Sequence, residues 1–269
     1  MVEVRQMTDP RGRTPVDPAR FRGAHVARIL TSGQSMLSGW AKIAKPVPTP
    51  GRVFEFSITD GKIYESDGDV PMNMDQYVDD NGPRYSVLPV WGNNLFTEGK
   101  AEYVLFGALN IGGTSSIDWC PAGSLFDSRL IKAIDLLRAL GMEWNYWIHM
   151  LGQQNLGLAI EQGLDPASTT TNFAGHSKWM VDNVQGHGMP SVMVTGQGCY
   201  WQGFSDVRPD LAAAVVAGQR RVAEICHNVA LGPNDDEWSD PIYRVDGVHQ
   251  AQPMVAAQWS RWKDVFPVF

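Results

Sequence analysis

Arg28-Ile29-Leu30-Thr31-Ser32-Gly33-Gln34-Ser35-Met36-Leu37-Ser38-Gly39-Trp40 begins as an apolar run, breaks at a glycine and then presents a polar pair. A strand ending in a tight turn is one way to expose a serine hydroxyl beside free backbone N–H groups. By itself, Gly33-Gln34-Ser35 is more often a plain turn or a helix start. Ser35 is therefore a candidate nucleophile only if the rest of the chain supplies a base, a group to orient that base, and donors for an oxyanion.

The apolar run from His25 to Thr31 reads as the first strand. Further strands are expected near Val53–Ile58, Tyr103–Leu109, Trp144–Leu151, Ser191–Thr195 and Ile242–Val245. Helices are expected over Leu125–Leu140, Thr170–Val184, Pro209–Val229 and Met254–Val265. In the first helix Leu130, Ile131, Ile134 and Leu137 recur at helical spacing, and Gly141 ends it. Pro209 opens the third, which carries Leu211, Val215, Val222 and Ile225 on one face. After residue 100 strand and helix alternate, and the strands are almost continuously apolar, as strands covered on both faces are. The expected fold class is α/β, a three-layer α/β/α sandwich around a mostly parallel, flavodoxin-like sheet. Residues 36–100 break this rhythm. Rich in Gly, Pro, Asp and Asn, they read as a long loop-rich insertion after the first strand, with a hairpin around Asp60-Gly61. Residues 1–23, rich in Pro, Arg and Asp, read as an N-terminal arm or linker with no core of its own, and residues 24–269 as the domain proper.

With 269 residues, 43% hydrophobic and only 19% charged, the chain has enough apolar surface for a buried core. A net charge of −7 argues against a nucleic-acid partner. No basic amphipathic segment suits a membrane surface, and no apolar run has the length of a membrane helix. Met1-Val2-Glu3-Val4-Arg5 lacks the hydrophobic stretch of a signal peptide. A soluble chain is expected, and its arm fits a tether to a larger exported or virion-associated protein. Cys120, Cys199 and Cys226 have neither disulfide nor zinc-ligand spacing and are expected to be buried free thiols. Trp40, Trp91, Trp119 and Trp201 stand near glycine or proline outside the periodic segments. Each could stack on a sugar ring or cover the core.

In such a sheet ligands bind at the carboxyl ends of the strands, so the residues just past each strand carry the most functional information. After the first strand comes Gln34-Ser35. After Tyr103–Leu109 comes Gly112-Gly113-Thr114-Ser115-Ser116-Ile117-Asp118-Trp119, whose glycines allow backbone N–H groups to approach a ligand closely. After Trp144–Leu151 comes Gly152-Gln153-Gln154-Asn155, carboxamides able to donate to a developing oxyanion. Near the end stands Asp246-Gly247-Val248-His249. A carboxylate three residues before an imidazole can reach its Nδ1 and leave Nε2 for a serine. Of the six histidines, His176, His187 and His227 fall on or beside helices, His25 precedes a strand, and His149 lies inside one. Only His249 has a carboxylate close behind it in a loop. No two share a metal-ligand spacing on one face, so no metal or other cofactor is expected.

The order of these blocks resembles the SGNH hydrolases, and within them the sialate O-acetylesterase and acetylxylan-esterase-type carbohydrate esterases. That branch carries Gly-Gln-Ser-Asn-Met early, Gly-Gly-Thr-Ser-Ile before a Trp, Gln-Gly-Glu-x-Asp/Asn, and a late Asp-x-x-His. The resemblance covers about residues 26–262, and the first and last blocks are its most specific part. Met36 stands where the branch has Asn, Leu151 where it has Gln, and Gln153 where it has Glu. The resemblance implies an SGNH-hydrolase-like catalytic domain that removes O-acetyl groups from an oligo- or polysaccharide through an acyl-enzyme. Ser35 would be the nucleophile, His249 the general base and Asp246 its orienting acid. The backbone N–H groups of Ser35 and Gly113 and the Gln153 carboxamide would form the oxyanion hole, with Gln154 or Asn155 as other donors. Gln34, Trp40, Trp91 and Trp119 would touch substrate. Two other readings remain: a lipase or thioesterase on the same fold, and a carbohydrate-binding module whose catalytic block has decayed.

Overall fold

The computed structural model describes residues 3–120, 125–189 and 192–266. Outside them lie Ser191, the expected start of a strand, the first two residues of the expected arm and the last three of the expected domain. The strands are β1 (Glu3–Gln6), β2 (Pro15–Val16), β3 (Val26–Gly33), β4 (Val53–Phe56), β5 (Ile63–Glu65), β6 (Asp75–Asp79), β7 (Gly82–Pro83), β8 (Tyr103–Ala108), β9 (Tyr146–Met150), β10 (Val192–Gln197) and β11 (Val229–Asn234). The helices are α1 (Leu88–Thr97), α2 (Lys132–Ala139), α3 (Gln153–Glu161), α4 (Pro166–Gly186), α5 (Phe204–Val207), α6 (Pro209–Ile225) and α7 (Gln252–Trp262).

Eight strands form one sheet in the order β11-β10-β9-β3-β8-β4-β5-β2, and β1-β6-β7 form a small antiparallel one. The five strands β8-β3-β9-β10-β11 are parallel. Numbered along the chain they lie in the order 2-1-3-4-5, the flavodoxin-like arrangement, whose ligand crevice opens where the order reverses. Here that point is the carboxyl ends of β3 and β9. β4 adds a further parallel strand on β8, and β5 and β2 finish the edge antiparallel.

Successive residues of a strand face opposite sides, so each inner strand feeds two cores. On one face Leu30, Leu105 and Trp147 pack with Leu137 of α2, Val181 of α4 and Val215 of α6. On the other, Ile29, Phe106 and Ile148 pack with Trp91 of α1 and Trp259 and Trp262 of α7. Both faces are covered, which is why the strands show no polar alternation. Each fully buried aliphatic or aromatic side chain contributes about 1.5–3 kcal/mol.

The elements depart from expectation for local reasons. Leu125–Leu140 begins as a π-helical stretch, Phe126–Ile131, and continues as α2. α4 starts before Thr170 because the Asp165 carboxylate accepts from Ser168 N–H at 2.9 Å and Pro166 takes the first helical position. The helix expected to reach Val229 ends at Ile225, Asn228 turns at φ 62°, and β11 begins directly after it. β11 is a half-exposed edge strand containing Gly232 and Pro233, so it lacks the apolar run of the inner strands. Ile242–Val245 is not a strand. Only Arg244 bridges, to Gln250, and the loop is held by the buried Arg244 guanidinium, which donates to the carbonyls of Trp238, Asp235 and Val248. α1 has no counterpart among the expected elements because Pro89, Gly92, Asn93 and Asn94 dilute its pattern, and α3 is hidden by its carboxamide opening.

Residues 36–100 are loop-rich but not structureless. β4 and β5 form the hairpin at Asp60-Gly61, with Gly61 at φ 68°. Residues 3–23 lie against this insertion. β1 pairs with β6, β2 pairs with β5, and Phe21 meets the Phe54 ring edge-on at 5.1 Å.

Candidate active site

Ser35 is placed by Gly33. That glycine adopts φ +133°, and a Cβ on it would fall inside the Met150 carbonyl group of β9. Only glycine allows the chain to leave β3 this close to β9. Gln34 N–H then donates to Met150 O at 3.0 Å, and Leu37 and Ser38 donate back to Gln34 O and Ser35 O, which closes a tight turn. Ser35 sits at its apex, largely buried.

The Ser35 Oγ lies 2.8 Å from His249 Nε2. The other ring nitrogen, Nδ1, lies 2.9 Å from Asp246 Oδ2 and 3.1 Å from Oδ1. Asp246 Oδ1 also accepts from the backbone N–H of His249 at 2.9 Å and of Val248 at 3.2 Å. Gly247, at φ +76°, makes the turn that folds His249 back over Asp246. Burial alone would raise the Asp246 carboxyl. Its hydrogen bonds to His249 and to the Arg84 guanidinium outweigh that and hold it well below the ordinary carboxylate range. An ionised carboxylate on Nδ1 fixes the tautomer that leaves Nε2 free to take a proton from a hydroxyl.

Ser35 and His249 open onto a cavity of about 200 Å³, lined also by Trp40, Trp201, Val248, Gly113, Gln153 and Gln154, with Asp246 behind the imidazole. Among the described residues, the N–H groups of Ser35 and Gly113 have no protein acceptor. Gly113 is held at φ +74°. The preceding N–H, of Gly112, is fixed by Asp75 Oδ2 at 2.9 Å, so the Gly-Gly turn has one anchored donor and one without a protein acceptor, on a residue that lines the cavity.

The carboxamide run is the first turn of α3 rather than a free loop. Gln34 Nε2 donates to Gln153 Oε1, and Gln34 Oε1 accepts from Gln154 N–H at 3.3 Å. With its oxygen occupied, Gln153 has its amide N–H groups left for the cavity. Asn155 points elsewhere: it donates to Ser116 Oγ at 2.8 Å and lines a separate cavity of about 40 Å³ with His176. Its amide is thus bonded to Ser116 and does not line the cavity at Ser35.

Of the expected substrate-facing residues, Gln34 and Trp40 line the cavity. The Trp40 ring lies 4.8 Å from that of His249. Trp91 and Trp119 do not. Both are wholly buried: Trp91 packs on Trp262 at 5.0 Å, and Trp119 donates to Thr114 Oγ1 at 3.1 Å beneath the Gly-Gly turn. The glycine beside Trp91, Gly92, marks close packing and not exposure, since a Cβ there would meet Val53 and Phe106. Met36 is likewise buried, with its sulfur against Arg244. His149 is a core residue, its Nδ1 2.8 Å from Ser32 Oγ, and burial pushes its pKa down to about 3. Cys199 and Cys226 are buried and Cys120 partly so, all three free. Sequence reasoning missed Arg84 and Asp75, which reach the site from the insertion, and Val248 in the cavity wall. Among the described residues no group of three His, Cys, Asp or Glu could hold a metal ion, and no helix is long and apolar enough to cross a membrane.

By sequence, no family model matches the chain and no curated protein does. By structure it is similar to a protein of Arabidopsis thaliana at 15% identity and TM-score 0.61, covering 90% of this chain and 97% of that one. It is similar to a structure named for a GDSL-like lipase of Parabacteroides merdae at 10% identity and TM-score 0.57, covering 90% and 95%. It is also similar to a variant of an acetyl xylan esterase from Geobacillus stearothermophilus at 10% identity and TM-score 0.55, covering 91% and 96%. At these identities the likeness is one of fold: the mixed α/β architecture is shared with structures named for a GDSL-like lipase and for an acetyl xylan esterase.

Proposed function

We propose that the protein is a serine esterase that removes O-acetyl groups from a carbohydrate. The observation that carries this reading is the hydrogen-bonded line from Asp246 through His249 to Ser35 Oγ, ending in a small cavity with unbonded N–H groups. In the proposed reaction His249 Nε2 takes the proton of Ser35 as Oγ attacks the acetyl carbonyl, and Asp246 stabilises the imidazolium. The N–H groups of Ser35 and Gly113 and the Gln153 amide receive the oxyanion. His249 then gives its proton to the departing sugar hydroxyl. The same base activates water to hydrolyse the acetyl-enzyme and release acetate.

Two features favour an acetylated sugar over a long acyl chain. A cavity of about 200 Å³ suits a short acyl group. The rings of Trp40 and Trp201 at its walls offer flat apolar faces of the kind that stack on pyranose rings. The fold shared with an acetyl xylan esterase is compatible with this, and the fold shared with a GDSL-like lipase supplies the competing outcome. The test is acetate release from a panel of acetylated polysaccharides, set against 4-nitrophenyl esters of increasing chain length. Acetyl esters are expected to exceed octanoyl esters in kcat/KM by about tenfold or more. Faster turnover of the long chains would replace this reading with a lipase, and no turnover of any ester would leave a binding module.

Removal of the carboxamide donor gives a separate expectation. Gln153→Ala should lower kcat on 4-nitrophenyl acetate by about 100-fold or more while KM changes little, because the donor acts on charge that develops only in the transition state. Wild-type kcat in that variant would exclude Gln153 from the oxyanion hole.

A further inference from the structure

Asp246 lies in a loop without a strand, and about a third of its side chain is exposed. His249 and the turn amides grip it from one side. On the other side stands Arg84, just past β7 in the insertion and nearly buried. Its Nη1 donates to Asp246 Oδ2 at 2.6 Å, the same oxygen that meets His249 Nδ1. Its Nη2 donates to Asp79 Oδ2 at 3.0 Å, and its guanidinium lies 4.3 Å above the Tyr77 ring. Tyr77 is also in contact with Trp40, and Trp40 with His249. The β6–β7 hairpin therefore backs both the carboxylate and the imidazole.

We propose that Arg84 is a positioning residue for the Asp246–His249 pair: it locks the carboxylate against Nδ1 and offsets its charge, so that the imidazole stays able to accept a proton in more acidic solution. This assignment rests on the esterase reading for its kinetic consequence but not for its electrostatic one. Among the described residues, the charged groups around the pair come from three elements, and Asp235 and Asp236 sit behind Arg244. Arg84 faces Asp246 directly, Asp79 faces Arg84 from β6, Lys42 acts on Asp79, and Arg244 acts on Asp246 from the base of the same loop. Against the His249 ring lie Ser35 and the uncharged Trp40 ring, and behind Trp40 stands the buried Asp75. A lone carboxylate draws a proton onto a neighbouring imidazole, and a guanidinium on that carboxylate opposes the draw. Lysine could keep the charge but not the fork that spans Asp246 and Asp79.

The experiment compares wild type, Arg84→Gln and Arg84→Lys. For each, kcat and KM on 4-nitrophenyl acetate are measured across the acid and neutral range, with the melting temperature alongside. In Arg84→Gln, kcat should fall by about tenfold or more with KM within about twofold, and the acid limb of kcat/KM should move to higher pH by roughly half a unit or more. Arg84→Lys should keep the limb in place and recover part of kcat. An unmoved limb in Arg84→Gln, whatever happens to kcat or melting temperature, overturns the proposal. The ring titration of His249, tracked by NMR in the same proteins, should move in the same direction. An inactive wild type would sink the esterase reading, and that titration would still decide the role of Arg84.

Discussion

Ser35→Ala is expected to lower the turnover of 4-nitrophenyl acetate by on the order of 10⁴- to 10⁶-fold, the loss seen when a nucleophile is removed from a catalytic triad. The variant should fold as wild type does. Its missing oxygen has one side-chain partner, His249 Nε2, and the turn around it is built from backbone bonds of Gln34, Leu37 and Ser38 that do not involve the hydroxyl. Losing one such hydrogen bond costs about 1 kcal/mol. The expected signature is thus a collapse of activity at an almost unchanged melting temperature. A second comparison separates chemistry from packing. If Ser35, His249 and Asp246 act as one unit, Ser35→Ala combined with His249→Ala should be scarcely less active than either alone. Multiplying losses in the double variant would mean that the residues work independently. Substantial turnover in Ser35→Ala would exclude Ser35 as the nucleophile altogether.

How much the sequence discloses depends on how local each feature is. Asp246 and His249 are three residues apart, so their meeting depends on one turn, and Gly247 makes it. Ser35 comes directly after an apolar run, and the break at Gly33 is visible in the sequence. The parallel sheet was legible for the same reason, since β3, β8 and β9 are almost continuously apolar. Features set by distant packing were not legible. The choice among Gln153, Gln154 and Asn155 depends on where α3 begins and on Gln34, 119 residues from Gln153. Arg84 lies 162 residues from the carboxylate it touches, inside a segment whose composition resembles plain loop. Trp40 and Trp91 both adjoin glycine, yet one lines a cavity and the other is covered by Trp262 and Phe266 at the far end of the chain. β11 escaped notice because an edge strand needs less apolar surface than an inner one.

Gly33→Ala should fail for the opposite reason, through the backbone instead of the chemistry. The conformation at φ +133° is one that residues with a side chain rarely adopt, and the added methyl would occupy the Met150 carbonyl. That carbonyl cannot move alone. It accepts from Gln34 N–H at 3.0 Å, and Met150 pairs with Gly33 across β3 and β9. The Gly33 carbonyl in turn accepts from Ile111 N–H at 2.9 Å and from Thr114 Oγ1 at 3.2 Å, so the Gly-Gly turn hangs on the same residue. A shift large enough to admit the methyl would displace Ser35 from His249 and Gly113 from the cavity together. The cost should be roughly 3 kcal/mol or more, which lowers the melting temperature of a domain this size by roughly 6–12 °C, and activity should be lost even in the fraction that folds. Gly113→Ala is the matched comparison. It also has a left-handed backbone, at φ +74°, but a Cβ there would meet nothing within 4 Å. Its cost should be only the intrinsic preference of about 1–2 kcal/mol. Thermal unfolding of the two variants side by side decides the matter: equal destabilisation would mean that conformation alone, and not the contact between β3 and β9, fixes the turn that presents Ser35.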